Sequence, residues 1–113
     1  MSKPIDLTNL DLKGRDFSYQ DLRNFDFYGS NLEGANFNGA DLTGVDLGRT
    51  NCQGASFFGA KLVQASFYGA DLRDTDLRDA LLYKTIIHLA KGRDEFLKMK
   101  VINKDEVIGT WED

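Results

Sequence analysis

The sequence of 113 residues predicts an all-β solenoid, a chain that turns a corner every five residues and stacks successive turns into a column. Three observations lead there. Stepping by five from Leu7 to Ile87 meets 17 large apolar residues without a break, a run that random placement would give with a probability on the order of 10⁻⁹. The residue before each of these centres is Asp or Asn at 12 positions, from Asp6 to Asp76, and glycine recurs two residues after the centre at eight of the chain's 11 glycines. A five-residue step scatters side chains around an α-helix and alternates them across a flat strand, so neither element buries this pattern in one core. Corners bury it: each fifth side chain points to a common axis, and glycine beside the corner accepts the positive φ of a type II turn.

The first units, from Ile5 to Asn24, form an atypical opening coil. Ile5, Leu10, Arg15 and Gln20 occupy the inward column that later holds small residues such as Ser30, Ala35, Ala40 and Thr50. A stacked solenoid exposes its core at both ends, and Arg15 and Gln20 are expected to reach over the open end and screen Leu12 and Phe17. Through the body, Asp and Asn at the turns are expected to accept hydrogen bonds from nearby backbone N–H groups, a structural task that any such repeat needs.

The units Ala35-Asn36-Phe37-Asn38-Gly39, Ala40-Asp41-Leu42-Thr43-Gly44 and Ala70-Asp71-Leu72-Arg73-Asp74 resemble the pentapeptide-repeat family, over sixteen consecutive units spanning residues 5–84. The resemblance implies a right-handed quadrilateral β-helix of four coils; the period alone allows other polygons. A step of 20 sorts the centres into four inward ladders. Phe27 and Phe67 fall on one, Phe17, Phe37 and Phe57 on the opposite one, and the two between are almost purely Leu. The phenylalanines should therefore interleave across the axis.

After Lys84 the repeat is expected to dissolve, because Leu81 and Ile86 put apolar groups where Asp or Asn stood. Residues 1–84 are thus read as the β-helix with its capping coil, and 85–113 as a C-terminal cap or dimerisation tail of the same domain. The stretch from Gly92 to Lys100 suggests a short helix, and the apolar residues around Asn103-Lys104-Asp105 a hairpin.

Composition narrows the function. One Cys allows no internal disulfide or thiolate cluster, and one His removes the commonest base pairings and zinc sites. Cys52 falls at a centre and is expected to be a buried hydrophobe; His88 reads as a surface or cap residue. Asp6, Asp26 and Asp46 share a face, but turn bonding explains them better than a metal does. No catalytic, cofactor-binding or metal-ligating residue is assigned, and the chain is read as a non-enzyme. A net charge of −4 argues against direct nucleic acid binding and against anionic lipid. The N-terminus has no apolar h-region and no stretch is long enough to span a membrane, so a soluble, cytoplasmic protein is expected.

The informative departures are outward aromatics. Phe58, Val63 and Tyr68 share the exposed column on consecutive sides, while Tyr28 and Tyr68 flank Gly48 and should leave a slot between their rings. With Trp111 in the tail, these are the candidate protein-contact residues. The expected function is a protein-interaction or scaffold module presenting flat faces to a protein partner, or to a second copy through the tail. The family resemblance also implies an alternative, a DNA-mimicking regulator of DNA gyrase or topoisomerase. Against it, residues 5–84 carry 12 acids and 8 bases over a column of only about 19 Å by strand spacing.

Overall fold

The computed structural model describes residues 3–113. Strands β1 (Ile5–Asp6) and β2 (Phe25–Asp26) pair in parallel. Single parallel bridges then join residues 20 apart up each side of the column, as in Asp11 to Asn31, Asn31 to Asn51 and Asn51 to Asp71. Five-residue sides and a step of 20 make each rung four-sided. Regular strand is scarce because only one or two residues on a side run straight before the next corner.

Each rung is bonded to its neighbours in both directions. The centre N–H donates to a carbonyl 19 residues ahead, Leu12 to Asn31 at 2.8 Å and Leu32 to Asn51 at 2.8 Å, while the Asn31 N–H donates back to Leu10 at 2.9 Å. The corner is closed by the N–H of Ala35 on the carbonyl of Leu32 at 3.0 Å. The third residue of most of these turns is left-handed whether or not it is glycine: Arg49, Gln64, Asp79 and Lys84 take φ between 56 and 59°. A non-glycine residue there costs about 1–2 kcal/mol, which the bonding of the rungs above and below must offset.

The centres form the core. Leu22, Phe27, Leu32, Phe37, Leu42 and Phe57 are fully buried. The small column beside them is also buried, and its hydroxyls bond inside the wall: Thr50 and Thr75 each donate to a carbonyl at 2.7 Å, and Ser30 donates to the carbonyl of Leu7. Alternate rings stack and cross as expected. Phe37 lies flat on Phe57, centroids 4.9 Å apart, and Phe57 meets Phe67 edge-on at 5.4 Å. At the N-terminal end Leu7 and Phe17 are half-buried, with Arg15 and Gln20 exposed beside them.

The rung geometry runs past Lys84. Ile87 and Ala90 are buried, Leu89 makes a left-handed corner at φ 59°, and Ile86 and Lys91 bridge to Ser66 and Asp71. The inward positions set the coil, so Leu81 and Ile86 changed its surface without ending it. Helix α1 (Arg93–Lys98) follows, inside the expected stretch. The expected hairpin does not form. A single 3-10 turn at Lys104–Glu106 separates Ile102 and Ile108, which bridge in parallel to Leu81 and Ile86. The reason is the open edge of the rung below: Leu82, Ile87 and Leu89 N–H groups donate to Ile102, Ile108 and Thr110 at 2.9, 2.8 and 2.7 Å. A hairpin folded on itself would leave them unpaired.

Candidate protein-contact faces

Each side turns outward the residue just before its centre, which makes the bridges, and the residue just after it. Read in steps of 20, one face carries Tyr28, Gly48, Tyr68 and His88; the side before it carries Arg23, Thr43, Val63 and Tyr83; the side before that carries Asn38, Phe58 and Arg78. Tyr28, Phe58 and Tyr68 are 41, 42 and 36% exposed, and Val63 is half-buried. Phe58, Val63 and Tyr68 lie on three successive sides of one rung, so no single flat surface presents all three.

Two expectations change. The slot at Gly48 is closed: Gly48 is buried, and an added Cβ there would lie 3.1 Å from Cδ2 of Tyr28, whose ring covers the glycine. Trp111, expected in the tail as a contact residue, is turned inward. It is half-buried and packs on Phe96 with ring centroids 4.9 Å apart, so its ring closes the tail over the core. Sequence reasoning missed Tyr83, 40% exposed, and Ile102 and Ile108, about half exposed. Tyr83 stands one step of 20 above Val63, so the column that found Val63 also contained it.

Cations accompany the exposed rings. Arg49 lies 5.1 Å from the Tyr68 centroid, Arg78 5.6 Å from Phe58 and Lys84 5.3 Å from Tyr83. Such contacts contribute about 0.5–1 kcal/mol each at exposed sites and hold the rings against the wall. The His88 ring tilts over Tyr68 at 5.9 Å.

The acid column is occupied by turn bonding. Asp6, Asp26 and Asp46 accept the N–H groups of Thr8, Tyr28 and Gly48 at 2.9, 3.0 and 2.8 Å. Asp21, Asp71 and Asp76 each accept a two-point bond from the arginine two residues on. The Arg23 guanidinium holds Asp21 down at about 2, and Arg73 and Arg78 lower Asp71 and Asp76. A carboxylate held below its unfolded value adds stability that is present above the unfolded value and lost as pH falls through the folded one. The melting temperature is therefore expected to hold from pH 7 to about 5 and to fall steeply between about pH 4 and 2; Arg23→Gln should shift the onset of that fall upward. A melting temperature flat down to pH 2 would contradict the assignment.

Burial pushes the Cys52 thiol up to about 12, with the Thr50 hydroxyl 3.1 Å away, so the thiolate that reacts is not available. Among the described residues no group of three or more His, Cys, Asp or Glu could hold a metal ion, and no helix is long and apolar enough to cross a membrane. The arrangement offers surface and shape.

A family model described as pentapeptide repeats matches residues 11–49 and 50–88, with eight copies. Comparison with curated proteins finds no match. Among solved structures, the chain is similar to Rfr23, a pentapeptide repeat protein from the cyanobacterium Cyanothece 51142, at 18% identity over 96% of this chain and 86% of that one, with a TM-score of 0.51. It is 33% identical to a pentapeptide repeat protein of the Arabidopsis thaliana thylakoid lumen over 74% of this chain and 55% of that one, with a TM-score of 0.35. It is also similar to QnrB1, a plasmid-mediated fluoroquinolone resistance protein, at 19% identity over 81% of this chain and 62% of that one, with a TM-score of 0.28.

Proposed function

The chain belongs to the pentapeptide-repeat family, and from that premise we propose a non-enzymatic protein-interaction or scaffold module. Its body is a right-handed β-helix; in this reading the coils start at residue 5, run past Lys84 to Lys91, are closed by the residues that follow, and the protein works in the cytoplasm. The observation that carries the reading is the exposure of Phe58, Tyr68 and Tyr83 on walls whose backbone is already bonded. Rigid aromatic side chains on a preformed surface are what protein contacts use, because little entropy is lost on binding. The tail offers a second route, self-association through its exposed apolar residues.

DNA mimicry has less support. A mimic needs a continuous negative surface, and residues 47–70 contain no Asp or Glu while Arg49 and Lys61 stand among them. The test is a quantitative capture with the full-length protein from its native host. A saturable protein partner is expected to bind the wild type and to be lost with Phe58→Ser and Tyr68→Ser combined. Absence of any saturable partner would remove the reading. Inhibition of gyrase supercoiling at micromolar concentration would favour the mimic instead, and a mass independent of concentration in light scattering would remove the tail dimer.

A further inference from the structure

One bond between rungs is made by a side chain. Of the 17 inward centres from Leu7 to Ile87, all but Leu77 donate their N–H to a main-chain carbonyl of the rung above. The Leu77 N–H donates to the Met99 Sδ at 3.3 Å. A thioether is a weak acceptor, yet Leu77 is buried, and leaving a buried N–H without its partner is costly. Met99 follows directly on helix α1 and begins the segment that runs along the open edge. The Lys100 carbonyl accepts from Asp79 at 2.8 Å and the Ile102 carbonyl from Leu82 at 2.9 Å. The Met99 N–H donates to the carbonyl of Phe96 at 3.1 Å, whose ring carries Trp111. The sulfur therefore sits where the tail first fastens to the column.

The same sulfur is open to chemistry that a carbonyl is not. Among the described residues sulfur occurs at Cys52 and Met99 alone. Cys52 is fully buried, whereas Met99 is half-buried between the exposed Lys98 and Lys100, so an oxidant reaches it. A hydroperoxide turns a thioether into a sulfoxide. A sulfur lone pair attacks the outer peroxide oxygen, the S–O bond forms as the O–O bond breaks, and with hydrogen peroxide the departing oxygen leaves as water. The sulfur gives up two electrons and the peroxide takes them. Set on the lone pair that faces Leu77, the new oxygen would stand well inside the roughly 2.9 Å of a normal hydrogen bond, because the sulfur is already at 3.3 Å. Set on the other lone pair, it withdraws electron density from the first and places a polar atom on a side chain that packs against the core. In both cases the bond to Leu77 is lost.

We propose that Met99 is an oxidation site at which a hydroperoxide unfastens the C-terminal closure of the column. The sulfoxide moves the Met99 side chain off Leu77, and the disturbance passes to the next bond, from Asp79 to Lys100. Freed from the tail, the N–H groups of Leu77 and Asp79 become an unpaired edge, the kind of backbone row at which a strand of another chain adds. The change is confined to this end, because the centres below Leu77 are held by carbonyls that peroxide leaves alone. It is also reversible, since methionine sulfoxide reductases return the sulfoxide to the thioether.

The test treats the full-length protein with dilute hydrogen peroxide and reads the masses of its peptides, which separate Met99 from Met1, the other methionine. Met99 is expected to gain one oxygen while circular dichroism shows the rungs still folded. Amide hydrogen exchange at Leu77 and Asp79 should then rise at least about tenfold, with Leu32 and Phe37 unchanged, and methionine sulfoxide reductase should restore it. Met99→Leu keeps the volume of the side chain and should show no change in exchange on peroxide treatment. Failure of Met99 to oxidise in the folded protein, unchanged exchange once it is oxidised, no recovery on enzymatic reduction, or the same peroxide response in Met99→Leu would each overturn the inference.

Discussion

Replacing Phe57 by alanine is expected to destabilise the protein by about 3–5 kcal/mol, measured by denaturant unfolding at neutral pH. Phe57 is fully buried, stacked on Phe37 at 4.9 Å and crossed by Phe67 at 5.4 Å. The wall around it is fixed by rung-to-rung bonds on both sides, so the cavity cannot collapse by moving backbone. A domain of this size has only about 5–15 kcal/mol in hand, and one ring would remove a large part of it. Phe57→Leu should cost less than the alanine variant, because it leaves a smaller cavity and Leu77 already fills the next position in the same ladder. An alanine variant within 1 kcal/mol of the wild type would mean that the phenylalanine stack is not the spine of the core.

Gly92→Ala is expected to have the second largest effect, and on a different part of the molecule. Gly92 is buried with φ 116°, and an added Cβ would lie 2.9 Å from both the carbonyl carbon and oxygen of Leu72. Those are backbone atoms held in a rung, so nothing yields cheaply. Backbone strain of about 1–3 kcal/mol adds to a steric cost of about 1–3 kcal/mol. The Gly92 N–H also donates to Asp113 at 3.0 Å, so the same substitution loosens the end of the chain. Trp111, the one tryptophan, packs on Phe96 and reports the tail. Its fluorescence should change at lower denaturant than the circular dichroism of the rungs. Gly44→Ala is the control, with φ 73° and nothing within 4 Å of the added Cβ, and should cost only about 1–2 kcal/mol. If the two substitutions cost the same, the contact with Leu72 carries no weight.

The inward pattern was legible because one side chain in five meets the same environment in every unit: Leu32, Phe37 and Leu42 are interchangeable tests of one rule. The Asn and Asp turn bonds were legible for the same reason. The tail was not, because Ile102 and Ile108 sit 21 and 22 residues beyond Leu81 and Ile86, outside the period that located everything else. Their pairing is imposed by the open edge of the last regular rung, a feature that no local propensity records. The closing of the Gly48 slot was hidden too. Spacing placed Tyr28 beside the glycine, but only packing turns its ring across it. Trp111 was legible as an apolar tail residue, but its pairing with Phe96 was not, because the two lie on separate elements that no period relates.

The step of 20 between bonded rungs also governs how such a chain can change length. Inserting 20 residues in phase adds one storey and leaves every side chain above it facing the same direction. Inserting five keeps the inward pattern intact yet swings everything above the insertion a quarter turn about the axis, so that Leu81 and Ile86 no longer stand over Asp41 and Asp46. Selection on such a sequence therefore sees two kinds of indel that look alike in the core and differ entirely at the surface.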